Sequence, residues 1–190
     1  MNTIDLNVLE NAIVFFAKNM KACGKIKLFK LLYLFDFEHF KQTGTSVTGL
    51  NYEAWQFGPV PKELHDAWGE LRAGKSNAVE IVDEPLIDFV RETVKVRAGV
   101  EFDKGEFTPR QIKIFEMLRE KHMSNMSQKM VDITHEQNEP WDKVWNGGKG
   151  AHRPIPYELA IPEDAPNRSL ILESALEARR ISPHMEEGGY

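Results

Sequence analysis

A single cysteine, Cys23, among 190 residues excludes an internal disulfide and a cysteine-rich zinc centre. That scarcity suits a reducing compartment, and the cytoplasm is the expected location. Excess positive charge is also missing. Lys and Arg number 24 against 29 Asp and Glu, a formal charge of −5, so a surface that wraps a polyanion is not expected overall. Apolar runs such as Leu31 to Phe35 are far too short to cross a bilayer, and the opening MNTIDLNVLE lacks the basic and then apolar pattern of a secretion signal. Neither a membrane partner nor export is therefore expected. The histidines at 39, 65, 122, 135, 152 and 184 show no paired metal-ligand spacing, and no internal repeat of fixed period is present.

What remains is the composition of a globular chain, 42% hydrophobic and 28% charged, large enough to bury a core without staples. The expected fold class is α+β, mainly α: a compact helical domain around a central aromatic-rich helix, with a few short strands. Leu6, Leu9, Ile13, Phe16 and Met20 recur at helical spacing behind candidate caps Asn2 and Thr3. After the break at Gly24, Lys25 to Gly44 reads as a helix that is apolar around nearly its whole circumference, which places it at the centre. Ser46 to Trp55 suggests a small strand or hairpin, and Pro61 to Gly74 a third helix with Pro61 as its first residue. Ala78 to Val82 suits a short strand, whereas Leu86 to Val96 is ambiguous between helix and strand. Thr108 and Pro109 open a helix to about His122, Ser127 is a candidate cap for another through Thr134, and Pro140 begins a short turn that ends at Gly147 and Gly148. The prolines at 154, 156, 162 and 166 forbid regular structure and predict a peripheral wrap, followed by a helix from Leu170 to Arg180. The organisation expected is a domain over residues 1–150, with 151–190 packed on it or extending from it.

Three patterns mimic chemistry. Residues 69–76, GELRAGKS, satisfy the phosphate-loop pattern, but they lie at the end of a helical segment and run into a strand, the reverse of the order such a loop needs. His135, Glu136 and Glu139 resemble a helical zinc-hydrolase motif in which the second histidine is replaced by Glu139 and Pro140 stops the helix. Lys18, Lys21, Lys25, Lys27 and Lys30 form a basic stripe with no acid between them, the best support for nucleic-acid binding. The helix from Ser127, with no Arg, is a poor reader of bases, so a nucleic-acid partner is not expected. No catalytic residue, metal ligand or cofactor is assigned.

More informative is Asp36, a carboxylate with Phe29, Leu32, Tyr33 and Phe40 as its helical neighbours and His39 one turn away. Burying it unpaired is costly, so it requires a partner, either His39 or a group from another segment. The expected buried polar network is Asp36, His39 and His135. The aromatic residues Tyr52, Trp55, Phe57 and Trp68 gather around the turn at Gly58 and Pro59. Tyr52, Trp55, Phe57, Pro59 and Trp68 are the candidate partner-binding residues, because Trp and Tyr anchor interfaces, although core packing explains them equally well.

The segment KLFKLLYLFDFEHFKQTGTSVTGLNYEAWQFGPVPKELHDAW, residues 27–68, resembles the Panacea antitoxin domain, also called SocA-like or phage-associated. The aromatic helix LLYLFDFEHF, the VTGLNYEAWQFGPVP that follows it, and SQKMVDITHEQNEPW carry the resemblance, which spans about residues 6–146. Ser127, His135 and Trp141 look like the family's Ser, His and Trp positions. The resemblance implies a mainly α domain that neutralises a cognate toxin by direct protein binding and has no agreed catalytic centre, and it places the stretch after Gly150 outside the core pattern. Two alternatives stay open: an adaptor that delivers a bound toxin to an ATP-dependent protease, with residues 181–190 as the handle, and a DNA-binding transcriptional regulator. The acidic balance beyond residue 50 suits a basic protein partner.

Overall fold

Helix α2 (Lys25–Thr43) is the axis of the protein, and it is buried along most of its length. Its aromatic and aliphatic residues point in every direction because every direction is covered: α1 (Leu6–Asn19), α5 (Pro109–His122), α6 (Ser127–Thr134) and α8 (Arg168–Ile181) all pack against it. A computed structural model describes residues 4–181. Among those residues the fold is α+β and mainly α, with two small antiparallel sheets. Asn2 and Thr3, the expected caps of α1, lie outside the described residues. Within them Asp5 does the capping, its side chain accepting from the Asn7 and Val8 amides.

Beyond α2, Gly44 takes φ +80° at the helix C-cap, and a Cβ there would lie 2.5 Å from the Ile171 carbonyl oxygen. Only glycine satisfies both demands, so α8 seats directly on the end of α2, where Ser174 donates to the Thr43 carbonyl at 3.0 Å. Strands β1 (Tyr52–Trp55) and β2 (Gly58–Pro61) then form a tight hairpin in which Trp55 faces Gly58. Pro61 is therefore the last residue of β2 and not the first of a helix. An edge strand tolerates Pro59 and Pro61, which lack amide donors. The single helix expected to reach Gly74 is two short ones, α3 (Lys62–Asp66) and α4 (Trp68–Arg72). The bend at Ala67 accompanies the burial of Trp68, whose ring stands edge-on to Phe29 at 5.4 Å while its indole N–H donates to Glu92.

The ambiguous stretch is extended. Strand β3 (Val79–Pro85) pairs with β4 (Val90–Val96) in a long hairpin, and β4 is fastened to the α1–α2 turn by the Val94 amide donating to the Cys23 carbonyl. Thr108 caps α5 in a reciprocal pair with Gln111. Ser127 is the first helical residue of α6 and does not cap it; Met126 occupies that position without a side-chain bond. After α7 (Pro140–Trp145), residues 152–155 run along the outer edge of β1, the Ile155 amide donating to Tyr52 and the Ala54 amide to Arg153. Ile155, Tyr157 and Ile161 are buried, so the proline-rich wrap shares the core of the domain it surrounds. The tail from residue 182 lies outside the described residues.

Asp36 ties α2 to the loop that follows it. Its carboxylate is fully buried and accepts from the Val47 amide (2.9 Å), the Thr48 amide (2.9 Å), the Thr48 hydroxyl (2.5 Å) and the Tyr52 hydroxyl (2.8 Å). Burial raises its pKa, and these hydrogen bonds pull the other way. His39 does not join it. Its Nδ1 lies 2.7 Å from the Thr45 carbonyl oxygen, so it binds the same loop independently. Asp36→Ala leaves four donors without an acceptor and is expected to cost at least about 3 kcal/mol, read in urea unfolding as a lower midpoint at unchanged slope. Unchanged stability would refute the role assigned to the carboxylate.

Candidate docking surfaces

Under the β1–β2 hairpin lies a second polar cluster, built by the ends of three elements. Lys30 of α2 is 2% exposed, and its ammonium donates to the Pro59 carbonyl at 2.8 Å. Gly58 has φ +97°, and a Cβ there would sit 2.8 Å from the Lys30 nitrogen and 2.9 Å from the Thr134 hydroxyl. The glycine lets hairpin, α2 and α6 meet at one point. Next to it His135, just past α6, stacks flat on Trp141 with centroids 3.7 Å apart, and Trp141 donates its indole N–H to the Trp55 carbonyl at 3.0 Å. His135 is thus separate from the Asp36 network. Both Asp36 oxygens are already filled from the 47–52 segment, and His135 is committed to Trp141. Burial, then the charge of Lys30, lowers the His135 pKa.

The candidate partner-binding residues divide by accessibility. Tyr52, Pro59 and Trp68 are buried and offer no surface to a partner in this conformation. Trp55 is half-buried between the rings of His65 and His152, at 4.7 Å and 4.6 Å. Phe57, at the tip of the hairpin, is 66% exposed.

Sequence reasoning missed a larger surface. A cleft of about 1020 Å³ opens between the tip of the β3–β4 hairpin and the N-termini of α2 and α6. Leu86, Phe89 and Val90 line one side, Ile26 and Met126 the other, and all five are exposed. Its charged rim is largely paired internally: Arg72 bridges Asp83 at 2.6 Å and Glu92 at 2.5 Å, and Arg91 meets Glu84 at 2.7 Å. The signal was present in the sequence, since Leu86, Ile87, Phe89 and Val90 put apolar side chains around a turn instead of on one face of the strands.

Two of the three patterns that mimic chemistry are held in the fold's own contacts. Lys27 is fully buried and donates to the Lys21 and Met123 carbonyls, Lys30 is interior, and Lys18 pairs with Glu101, so the basic stripe is not a continuous surface. The phosphate-loop pattern is the end of α4 and the approach to β3, where Ser76 donates to Glu10 and accepts from the Ala78 and Val79 amides. Cys23 is buried, and burial pushes its thiol up to about 12. Among the described residues no three His, Cys, Asp or Glu side chains gather to hold a metal ion, and no helix is long and apolar enough to cross a membrane.

Burial lowers Lys30 from 10.5 to about 7. Between about pH 7 and 10.5 the unfolded chain therefore binds one more proton than the folded chain, and stability rises with pH across that window. Lys30→Met removes this contribution. Relative to the variant, the native protein is expected to gain up to about 1.4 kcal/mol per pH unit between pH 7 and 9, measured by urea unfolding at each pH. Lys25 and Lys27, also lowered by burial, are present in both proteins and cancel in the difference.

No curated protein and no solved structure gives a significant match to this chain. A family model described as antitoxin SocA-like, Panacea domain, matches residues 28–142, which takes in all but the first turn of α2, both hairpins, α5, α6 and the Trp141 that stacks on His135. With more than half of its length matched and the aromatic central helix inside the match, the chain belongs to the SocA-like Panacea antitoxin domain family.

Proposed function

We propose that this protein is the antitoxin of a toxin–antitoxin pair, that it neutralises a cognate toxin by direct contact, and that it does so by binding and not by catalysis. Family membership is the observation that carries this reading. The geometry supports it through the cleft beside the β3–β4 hairpin, where Phe89 is 61% exposed and Met126 59% exposed. A cluster of this kind on a small protein marks an interaction site, and each large side chain removed from water there contributes about 1.5 to 3 kcal/mol. Because its rim charges are paired among themselves, the cleft suits an apolar segment of the toxin more than a highly charged one. Met126 adds an adaptable contact. The association with phage-borne genes implied by the family resemblance belongs to the same reading.

The test is co-expression with the product of the neighbouring gene, scoring rescue of growth together with co-purification of the two chains. Rescue with a complex is the expected result. Rescue without one would favour delivery of the toxin to an ATP-dependent protease, and no rescue from a demonstrably toxic neighbour would remove the antitoxin reading. The double substitution Phe89→Asp and Met126→Asp is expected to weaken the complex at least tenfold while leaving the unfolding temperature unchanged, because both side chains are exposed in the free protein. Wild-type affinity in that variant would take the cleft out of the interface.

A further inference from the structure

On the face formed by α1, α3 and α4, a groove of about 540 Å³ combines an apolar floor with an acidic rim. Leu9, Ile13 and Leu64 form the buried part of the floor, Leu71 continues it, and Leu6 stands at its mouth 74% exposed. Three carboxylates line the edge. Glu10 accepts from the Ser76 hydroxyl and Glu63 accepts from the Asn51 amide groups, bonds to neutral donors that leave both charges uncancelled. Glu70 has a cationic partner, Lys75 at 3.1 Å, and that ion pair is largely exposed to solvent. The groove therefore offers an apolar trough with net negative charge along its sides.

We infer that this acidic groove takes a cationic amphipathic helix of the toxin, with apolar side chains in the trough and Lys or Arg side chains against Glu10, Glu63 and Glu70. The inference rests on the antitoxin reading for its choice of partner. Charge complementarity selects the occupant, because an apolar segment without cations would leave Glu10 and Glu63 partly desolvated and unpaired. Helical walls favour a helix, which presents anchors at i, i+3, i+4 and i+7 to such a trough. The division of labour with the cleft follows: the cleft provides apolar contact, and the groove adds sign selection and a salt-dependent association rate.

Two arms separate failure of this inference from failure of the antitoxin reading. In the first, a fluorescein-labelled 14-residue peptide of alternating Leu and Lys turns is titrated against the whole protein by anisotropy, with a Glu-for-Lys counterpart as control. The triple substitution Glu10→Gln, Glu63→Gln and Glu70→Gln keeps the size and shape of each side chain and removes its charge, at the loss of one of the two bonds that Glu63 accepts from Asn51. It is expected to weaken the cationic peptide at least tenfold at low salt, whereas Glu163→Gln with Asp164→Asn, outside the groove, changes it less than twofold. Leu6→Gln, at a position 74% exposed in the free protein, is expected to weaken it three- to tenfold without lowering the unfolding temperature. Equal binding by native and triple variant, or binding of the acidic counterpart, would overturn the inference. In the second arm the same variants are tested against the product of the neighbouring gene, and a complex at least tenfold weaker is expected. Wild-type affinity in the triple variant, with rescue intact, would overturn the groove and leave the antitoxin reading standing. A concentration-dependent dimer of this chain that Leu6→Gln dissociates would assign the groove to a second copy and overturn the inference as well.

Discussion

A carboxylate with no access to water sets the terms for much of this structure. Asp36 is satisfied only if the chain that leaves α2 doubles back and brings two amides, a hydroxyl and a phenol to it. That requirement fixes the path of residues 45–52, and the path fixes where β1 begins. The Tyr52 hydroxyl is simultaneously the end of the polar network and the start of the hairpin, so polar satisfaction and strand register are one constraint. Around the carboxylate the Tyr52 ring stands edge-on to Tyr33, Phe37 and Tyr157, and these buried rings exclude the water that would otherwise compete.

From the hairpin the constraint passes outward. Lys30 and Trp141 each bind a carbonyl of the hairpin, at Pro59 and Trp55, so α2 and α7 hold the tight turn between them. The turn in turn presents Phe57. A surface residue thus owes its position to buried lysine and tryptophan donors, which explains how a two-residue turn on a short hairpin keeps a defined place without a sheet behind it.

Much of this architecture was legible in the residues. The circumferential apolar pattern of Lys25 to Gly44 identified the central helix, and Asp36 on its apolar face announced a partner from elsewhere, because burial forces one. What stayed hidden was non-local. No periodicity reveals that Tyr52 and Trp68 face inward, since aromatic residues suit a core and an interface alike until neighbours are known. Lys27 and Lys30 read as surface charge because lysine almost always is; only the convergence of carbonyl oxygens from distant segments makes their burial tolerable. The exposed cleft was legible in part: Leu86, Ile87, Phe89 and Val90 crowd a turn with apolar side chains, but that they stay uncovered depends on where the rest of the chain packs.

The family match ends at residue 142, but the packing does not. Residues 152–155 close the free edge of β1, the Tyr157 hydroxyl donates to the Leu50 carbonyl beside the Asp36 loop, and α8 rests on the end of α2. The stretch that recurs among relatives and the stretch that must fold together are therefore different objects. A gene rearrangement that carried off the shared region alone would release a domain with a bare strand edge and an opened aromatic core, a candidate for aggregation more than for a new partner. In this protein the end beyond the family match is part of the foundation, so exchanging it would disturb the core as well as any surface it carries.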